Sequence, residues 1–400
     1  MPNASYKNRE LTSKSTLFGY FTDNNWIFLP VGILFIQIQY EKIMGNYINK
    51  LNFDFQTNHK ILNLIAKIDL YKGKWNIIEK QENIYLKELR KIATIESIGS
   101  STRIEGVTLS DEEIKELLKN VKTTELKTRD EQEVIGYYDT LEIIYENYDN
   151  ISLSESYIKQ LHQLLLKYSN KDSRHRGEYK SLSNKVVANY PGGIQKTIFN
   201  PTEVHLVSNE MNRVIAWTND QFEKQEIHPL MIISHFIYEF LSIHPFQDGN
   251  GRLSRLLTTL QLLQSDYFFI QYVSFENLIE QSKKEYYQAL MEGQKNRGEG
   301  SENISRWVLY FLNKISELTQ KLDSKYDVFK SKGGYLSDRQ KMIKGYLELN
   351  QPLKISDIAK SFKNINIHTL KKDLQYMKKE KIISSIGKGK GTVYIIEENG

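Results

Sequence analysis

The stretch HPFQDGNGRLSR, residues 244–255, puts an imidazole, a carboxylate, two glycines, an asparagine and two arginines within twelve positions. What lies on either side decides the fold. Upstream, HPLMIISHFIYEFLSI (residues 228–243) is apolar almost all round, as a buried central helix must be. Downstream, RLSRLLTTLQLLQ resumes helical spacing from Leu253. Pro245 cannot continue the first helix, so residues 247–251 are predicted to turn into a second helix that begins near Arg252. DGNG alone would signal a hairpin, but helical periodicity on both sides argues against one. A calcium loop also fails, because Leu253 and Thr259 stand where Gly and Glu are required.

The turn has the chemistry of a polyphosphate site. The first amides of a helix have no partner within it, and Gly249 and Gly251 let a ligand approach them closely. Arg252 and Arg255 lie one turn apart at the positive end of the helix dipole, where cations are unfavourable by about 0.3–1 kcal/mol each. A bound triphosphate removes that misfit. Asp248, an anion beside an anion, then makes sense as the ligand of a divalent cation, magnesium or manganese. His244 can accept a proton from a hydroxyl near neutral pH. Phe246 is expected to pack inward and fix the turn.

Composition bounds the rest. With 400 residues, 40% of them hydrophobic, the chain can bury a large core in two or three domains. A net charge of +5 does not by itself imply nucleic acid. The absence of cysteine excludes disulfides, thiolate nucleophiles and Cys-ligated zinc, and fits a cytoplasmic location. Residues 25–40 are free of charge and follow Lys7, Arg9 and Lys14 in the manner of a leader or anchor. The apolar part is shorter than a spanning helix needs, and Pro30 and Gly32 interrupt it, so stable membrane insertion is not expected. Translation from Met44 is an alternative account of this extension.

From Asn46 to Phe329 the pattern is helical, with starts at Ser110 (a capping box with Glu113) and at Asn200-Pro201. One segment departs from it: NKVVANYPGGIQKTIF reads as a hairpin around Pro191, a flap over the helical body. After residue 330 come three short helical patterns and two β-rich runs around a Gly-Lys turn, the order of a winged helix-turn-helix. Residues 331–400 carry 14 Lys and Arg against 7 Asp and Glu, with Lys371, Lys372, Lys378 and Lys379 on the last helix and Lys388 and Lys390 on the wing. The expected division is an extension over 1–43, a helical region over 44–130, a catalytic domain over 131–330 and the basic unit over 331–400. That unit offers DNA or another protein a contact surface, and a DNA-binding regulator with a nucleotide-sensing body is the competing reading.

HPFQDGNGRLSR resembles in full the signature of Fic-domain proteins: HPF, any residue, Asp or Glu, GNGR, two residues, Arg. The fold implied is a mainly α Fic-type domain with a small β-hairpin flap. The activity implied is transfer of AMP from ATP to a Ser, Thr or Tyr hydroxyl of a target protein or of the chain itself, with release of pyrophosphate. In that reading His244 is the base and Asp248 holds the metal. Gly249, Asn250, Gly251 and Arg252 surround the phosphates with Leu253 and Ser254 beside them, and Arg255 reaches the γ-phosphate. A branch of the family that phosphorylates its targets has Lys where this chain has Gly251. SSTRIEG, residues 100–106, is similar to the inhibitory Fic motif, which implies that Ser101, Glu105 and Gly106 act with Arg255 to block the γ-phosphate seat within one chain. By the same resemblance Ile194, Gln195, Lys196 and Thr197 of the flap contact the nucleotide. EYYQAL suggests Tyr286 and Tyr287 beside adenine, where core packing is the bland alternative. Removal of AMP by the same site, and a homodimer, remain open.

Overall fold

The computed structural model describes residues 17–22, 25–30, 46–80, 84–120, 125–184, 186–190, 194–299, 301–331, 336, 338–379, 382–387 and 389–396. Strands β1 (Leu17–Thr22) and β2 (Asn25–Pro30) pair antiparallel. The first half-dozen residues of the apolar extension therefore form a strand, while residues 31–45 lie outside the described set. Among the described residues, no helix is long and apolar enough to cross a membrane.

The body is helical. In chain order it comprises α1 (Phe55–Glu79), α2 (Ile84–Glu105), α3 (Asp111–Asn120), α4 (Arg129–Asn147) and α5 (Glu155–Leu165), then the hairpin β3 (Val186–Tyr190) and β4 (Ile194–Phe199). After it come α6 (Val207–Lys224), α7 (Pro229–Ile243), α8 (Asn250–Gln264), α9 (Phe275–Gln281), α10 (Lys283–Gln294) and α11 (Ser305–Ser331). Every residue of α7 from Leu230 to Ile243 is buried, as its all-round apolarity requires, and α6, α8 and α11 pack around it. The Trp307 indole of α11 donates to the Ser234 carbonyl of α7 at 2.8 Å.

The local signals explain most boundaries. Ser110 and Glu113 form the expected capping box: the Ser110 amide donates to the Glu113 carboxylate at 2.8 Å and the Glu113 amide to the Ser110 hydroxyl at 3.3 Å. Thr128 and Glu131 form another at α4. The start read at Asn200 is displaced: a 3-10 turn over Val204–Leu206 comes first, and α6 begins at Val207. Thr202 explains part of the delay, since its hydroxyl donates to Glu210 at 2.7 Å and holds residues 200–203 across the helix mouth. The expected hairpin is present, with Tyr190 opposite Ile194 and a bulge at Val186/Val187. Its tip, residues 191–193, lies outside the described residues, as do the side chains of Ile194 to Thr197.

Beyond α11 the chain builds α12 (Asp338–Asn350), α13 (Ile355–Ser361) and α14 (Ile367–Lys379), followed by strands β6 (Ile383–Ile386) and β7 (Val393–Ile396). A short strand not read from the sequence, β5 (Leu353–Lys354), joins them in the order β5-β7-β6. These elements share a hydrophobic core of their own, including Leu336, Ile343, Leu347, Ile358, Leu370, Leu374 and Ile383. Lys388 falls outside the described residues.

Candidate active site

The site is the junction of α7 and α8. His244 caps α7 in the left-handed conformation, φ +52°, and its amide still donates to the Phe240 carbonyl at 2.9 Å. A non-glycine residue there costs on the order of 1 kcal/mol, a strain sequences rarely keep without a use for the side chain. Burial, and next the Lys180 ammonium, push the imidazole down to about 4, against the Leu241 carbonyl and the Glu105 and Asp248 carboxylates. The ring is therefore neutral near pH 7 and free to accept a proton. Phe199, the last residue of β4, meets it edge-on at 6.4 Å.

The turn is braced from within and from outside. Asn250 folds back so that its Oδ1 accepts the Phe246 amide at 2.9 Å and its Nδ2 donates to the Phe246 carbonyl at 2.8 Å. Its side chain is thus committed to the turn, and only its amide faces outward. Helix α8 begins at Asn250, two residues before the expected start, and its first bond is Leu253 N–H to the Gly249 carbonyl at 2.9 Å. That leaves the amides of residues 250–252 ahead of the hydrogen-bonded ladder. Gly249 supplies the left-handed N-cap at φ +81°. Leu253 is core, and Ser254 is buried with its hydroxyl on the Gly251 carbonyl at 2.7 Å.

Three bracing residues carry no signal in the sequence. His162 of α5 stacks on Phe246 with ring centres 3.8 Å apart. Its Nδ1 accepts the Gly177 amide at 3.0 Å, so Nε2 carries the proton and donates to the Asp248 carbonyl at 3.0 Å. Lys180 donates its amide to the Pro245 carbonyl at 2.8 Å and its ammonium to the Ile243 carbonyl at 3.3 Å; burial lowers that ammonium to about 8. Asn184 donates to the Phe246 carbonyl at 3.2 Å.

The charges form two linked groups. Asp248 accepts the Gly249 amide at 2.6 Å and lies 3.1 Å from the Arg252 guanidinium and 3.6 Å from that of Arg129. Burial opposes its ionisation, but Arg252, the Gly249 amide and Arg129 hold the carboxyl below its ordinary range. Arg252 and Arg129 both reach the buried Glu133 of α4, at 2.9 and 2.6 Å, closing a ring of alternating charge. Among the described residues there is no cluster of three metal-binding side chains. One ionised carboxylate completed by phosphate oxygens is nevertheless a set that magnesium takes.

The second group joins α8 to the end of α2. Arg255, buried, donates to the Ser101 hydroxyl at 2.7 Å, to the Ser101 carbonyl at 2.9 Å and to the Glu105 carboxylate at 2.8 Å. Glu105 sits at the C-terminus of α2, where the dipole disfavours an anion. Burial opposes its charge too, yet Arg255 and next Arg252 keep its carboxyl below the ordinary range. Gly106 turns the chain away at φ +111°. The carboxylate lies against Gly251, where an added Cβ would overlap it. Tyr286 is buried among Tyr287, Trp307 and Tyr310, whereas Tyr287 remains half-buried at the edge of that cluster.

The turn and the helices from α5 to α8 that flank and brace it fall almost wholly within residues 152–262, which match the Fic/DOC family, whereas α2 with Glu105 and α4 with Glu133 lie outside that match. The chain carries a Fic domain. The Protein adenylyltransferase Fic of Aedes aegypti is 29% identical over 191 residues, 46% of this chain and 35% of that protein. The protein of the same name from Drosophila willistoni is 28% identical over 207 residues, 51% of this chain and 38% of that one. The match thus spans about a third of the length of these curated relatives. Among solved structures, a Fic family protein from Desulfovibrio desulfuricans G20 superposes with a TM-score of 0.60 at 21% identity, over 87% of this chain and 98% of that one. A Fic domain containing signaling protein from Bacteroides thetaiotaomicron VPI-5482 gives 0.54 at 25% identity, over 68% and 99%. The fold is accordingly a mainly helical Fic fold.

Proposed function

We propose that the chain is a self-inhibited protein adenylyltransferase that transfers AMP from ATP to a Ser, Thr or Tyr hydroxyl of a target protein or of itself. The observation that carries the reading is the neutral, strained His244 set beside the free amides and arginines that open α8. His244 takes the hydroxyl proton as the oxygen attacks the α-phosphorus; the bond to the bridging oxygen breaks and pyrophosphate leaves with its electron pair. The amides of residues 250–252 and Arg252 stabilise charge on the phosphates, and fixed donors of this kind supply most of the rate acceleration in such reactions. Asp248 would hold magnesium or manganese, whose charge offsets that of the triphosphate. Tyr287 is better exposed than Tyr286 for a base to rest on.

Support for self-inhibition is the Glu105–Arg255 pair: with Glu105 in place, Arg255 is already neutralised and the Gly251 edge is filled. In this reading Glu105→Gly incorporates label from α-labelled ATP and none from γ-labelled ATP, and adding His244→Ala abolishes the signal. Equal labelling of the unaltered chain and the Glu105→Gly chain would refute inhibition.

A second role fits residues 331–400. The one acidic residue of α14, Asp373, is buried against Arg339 at 2.6 Å and Gln340 at 2.9 Å, so the exposed Lys371, Lys372 and Lys379 face solvent without it. We propose duplex DNA as the ligand of this face, within a winged helix-turn-helix. Binding by the full chain should weaken steeply with salt and lose slope in Lys371→Ala/Lys372→Ala; salt-independent binding refutes it.

A further inference from the structure

Helix α1 exposes an apolar stripe that nothing else in the described chain covers. Phe55 is 85% exposed, Leu62 64%, Leu70 80% and Ile77 65%; His59, Ala66 and Gly73 are exposed between them. At 100° per residue all seven lie within about 40° of Ala66 around the axis, in a band about 33 Å long. The spacing of 4, 3 and 4 repeats every eleven residues, so the stripe drifts by only about 20° over three turns and a partner helix can follow it with a slight right-handed coil.

The order of the side chains is symmetric about Ala66. Four residues to either side stand Leu62 and Leu70, seven to either side His59 and Gly73, and eleven to either side Phe55 and Ile77. A two-fold interface needs such self-complementarity, since each residue i that meets j must also be met as j meeting i. Antiparallel, Leu packs beside Leu, Phe55 on Ile77, and the two Ala66 methyl groups allow close approach. The bulky His59 falls on Gly73. That glycine is otherwise unexplained: it lies inside a 25-residue helix, costs about 1 kcal/mol relative to Ala, and has open space where a Cβ would be.

We infer that a second copy of this chain docks on the stripe, α1 against α1, antiparallel about Ala66. With about 100 Å² from each of four large side chains, two copies bury on the order of 800 Å² before flanking residues are added. That is the low end for a specific contact, so the dimer is weak and concentration-dependent.

Sedimentation of the full chain across micromolar concentrations should show mass moving from 46.9 kDa towards twice that value. Leu62→Glu/Leu70→Glu should stay at the single mass with its circular dichroism and melting unchanged, because both side chains are exposed. The chain has no cysteine, so introduced thiols report register directly. Ala66→Cys should oxidise to a linked dimer; Leu62→Cys should not, but should cross-link to Leu70→Cys when the two proteins are mixed. A single mass at every concentration, a dimer that survives both glutamates, or self-linking through Leu62→Cys would overturn the inference.

Discussion

Glu105→Gly tests the proposed inhibitory contact by thermodynamics as well as by labelling. The carboxylate and the Arg255 guanidinium meet at 2.8 Å. Unit charges about 4 Å apart attract by about 4 kcal/mol at the effective dielectric of a protein site. Arg255 keeps both bonds to Ser101 when Glu105 is lost, and Glu105 is partly solvated, so about 2 kcal/mol is a fair net cost. In a helical body this large that lowers the melting midpoint by about 3 °C. The same free energy should reappear in ATP affinity, because the γ-phosphate no longer competes with Glu105 for the guanidinium. About 2 kcal/mol corresponds to roughly 30-fold tighter binding. Calorimetry with ATP and magnesium, beside thermal melts of both proteins, reads the two effects. Equal ATP affinity, with or without lost stability, would show that Glu105 and the nucleotide do not contend for Arg255.

Three further outcomes are expected. Burial first of all pushes His162, His235 and His244 below the ordinary 6.5, to about 4, 3 and 4; these rings bind protons more weakly when folded, so stability present above pH 6.5 is lost as pH falls towards 4, and melts at stepped pH should show the midpoint dropping there, a flat midpoint from 6.5 to 5 refuting it. Lys180→Met removes a cation that depresses His244, so the acid limb of the proposed AMP transfer should move to higher pH in a rate profile. Gly251→Ala should cost more stability with Glu105 present than in the Glu105→Gly background, by about 1 kcal/mol or more in a urea double-mutant cycle, since the added methyl overlaps that carboxylate.

What could be read from the chain was whatever its chemistry announces locally. The turn of residues 244–255, the buried α7 and the hairpin all rest on neighbours in sequence: a helix-stopping proline, an all-round apolar run, a Pro-Gly-Gly break. Glu105 and Arg255 could be paired only through the resemblance, for 150 residues separate them. His162, Lys180 and Glu133 had no such signal. A lone histidine on an apolar helix face, a lysine in an irregular loop and a glutamate in a charged helix look like countless others, and they become bracing residues only once α4, α5 and the following loop converge on the turn. Asn250 shows the opposite limit. Its place in the signature suggested ligand contact, but an amide that can accept and donate at once also suits a backbone clamp, and spacing does not distinguish the two.

Two residues before Glu105, Arg103 is gripped by Glu280 at 2.9 and 3.1 Å and by Asp111 at 2.9 Å, in a space that Gly99 leaves open. Neither of these two partners touches the reacting centre. In the proposed inhibitory reading, how firmly the last turn of α2 stays shut can therefore drift by small surface changes at positions 111 and 280, as a dial set apart from the machinery it would restrain. Evolution could grade the leakiness of such an enzyme over a wide span while leaving every atom of its chemistry as it was.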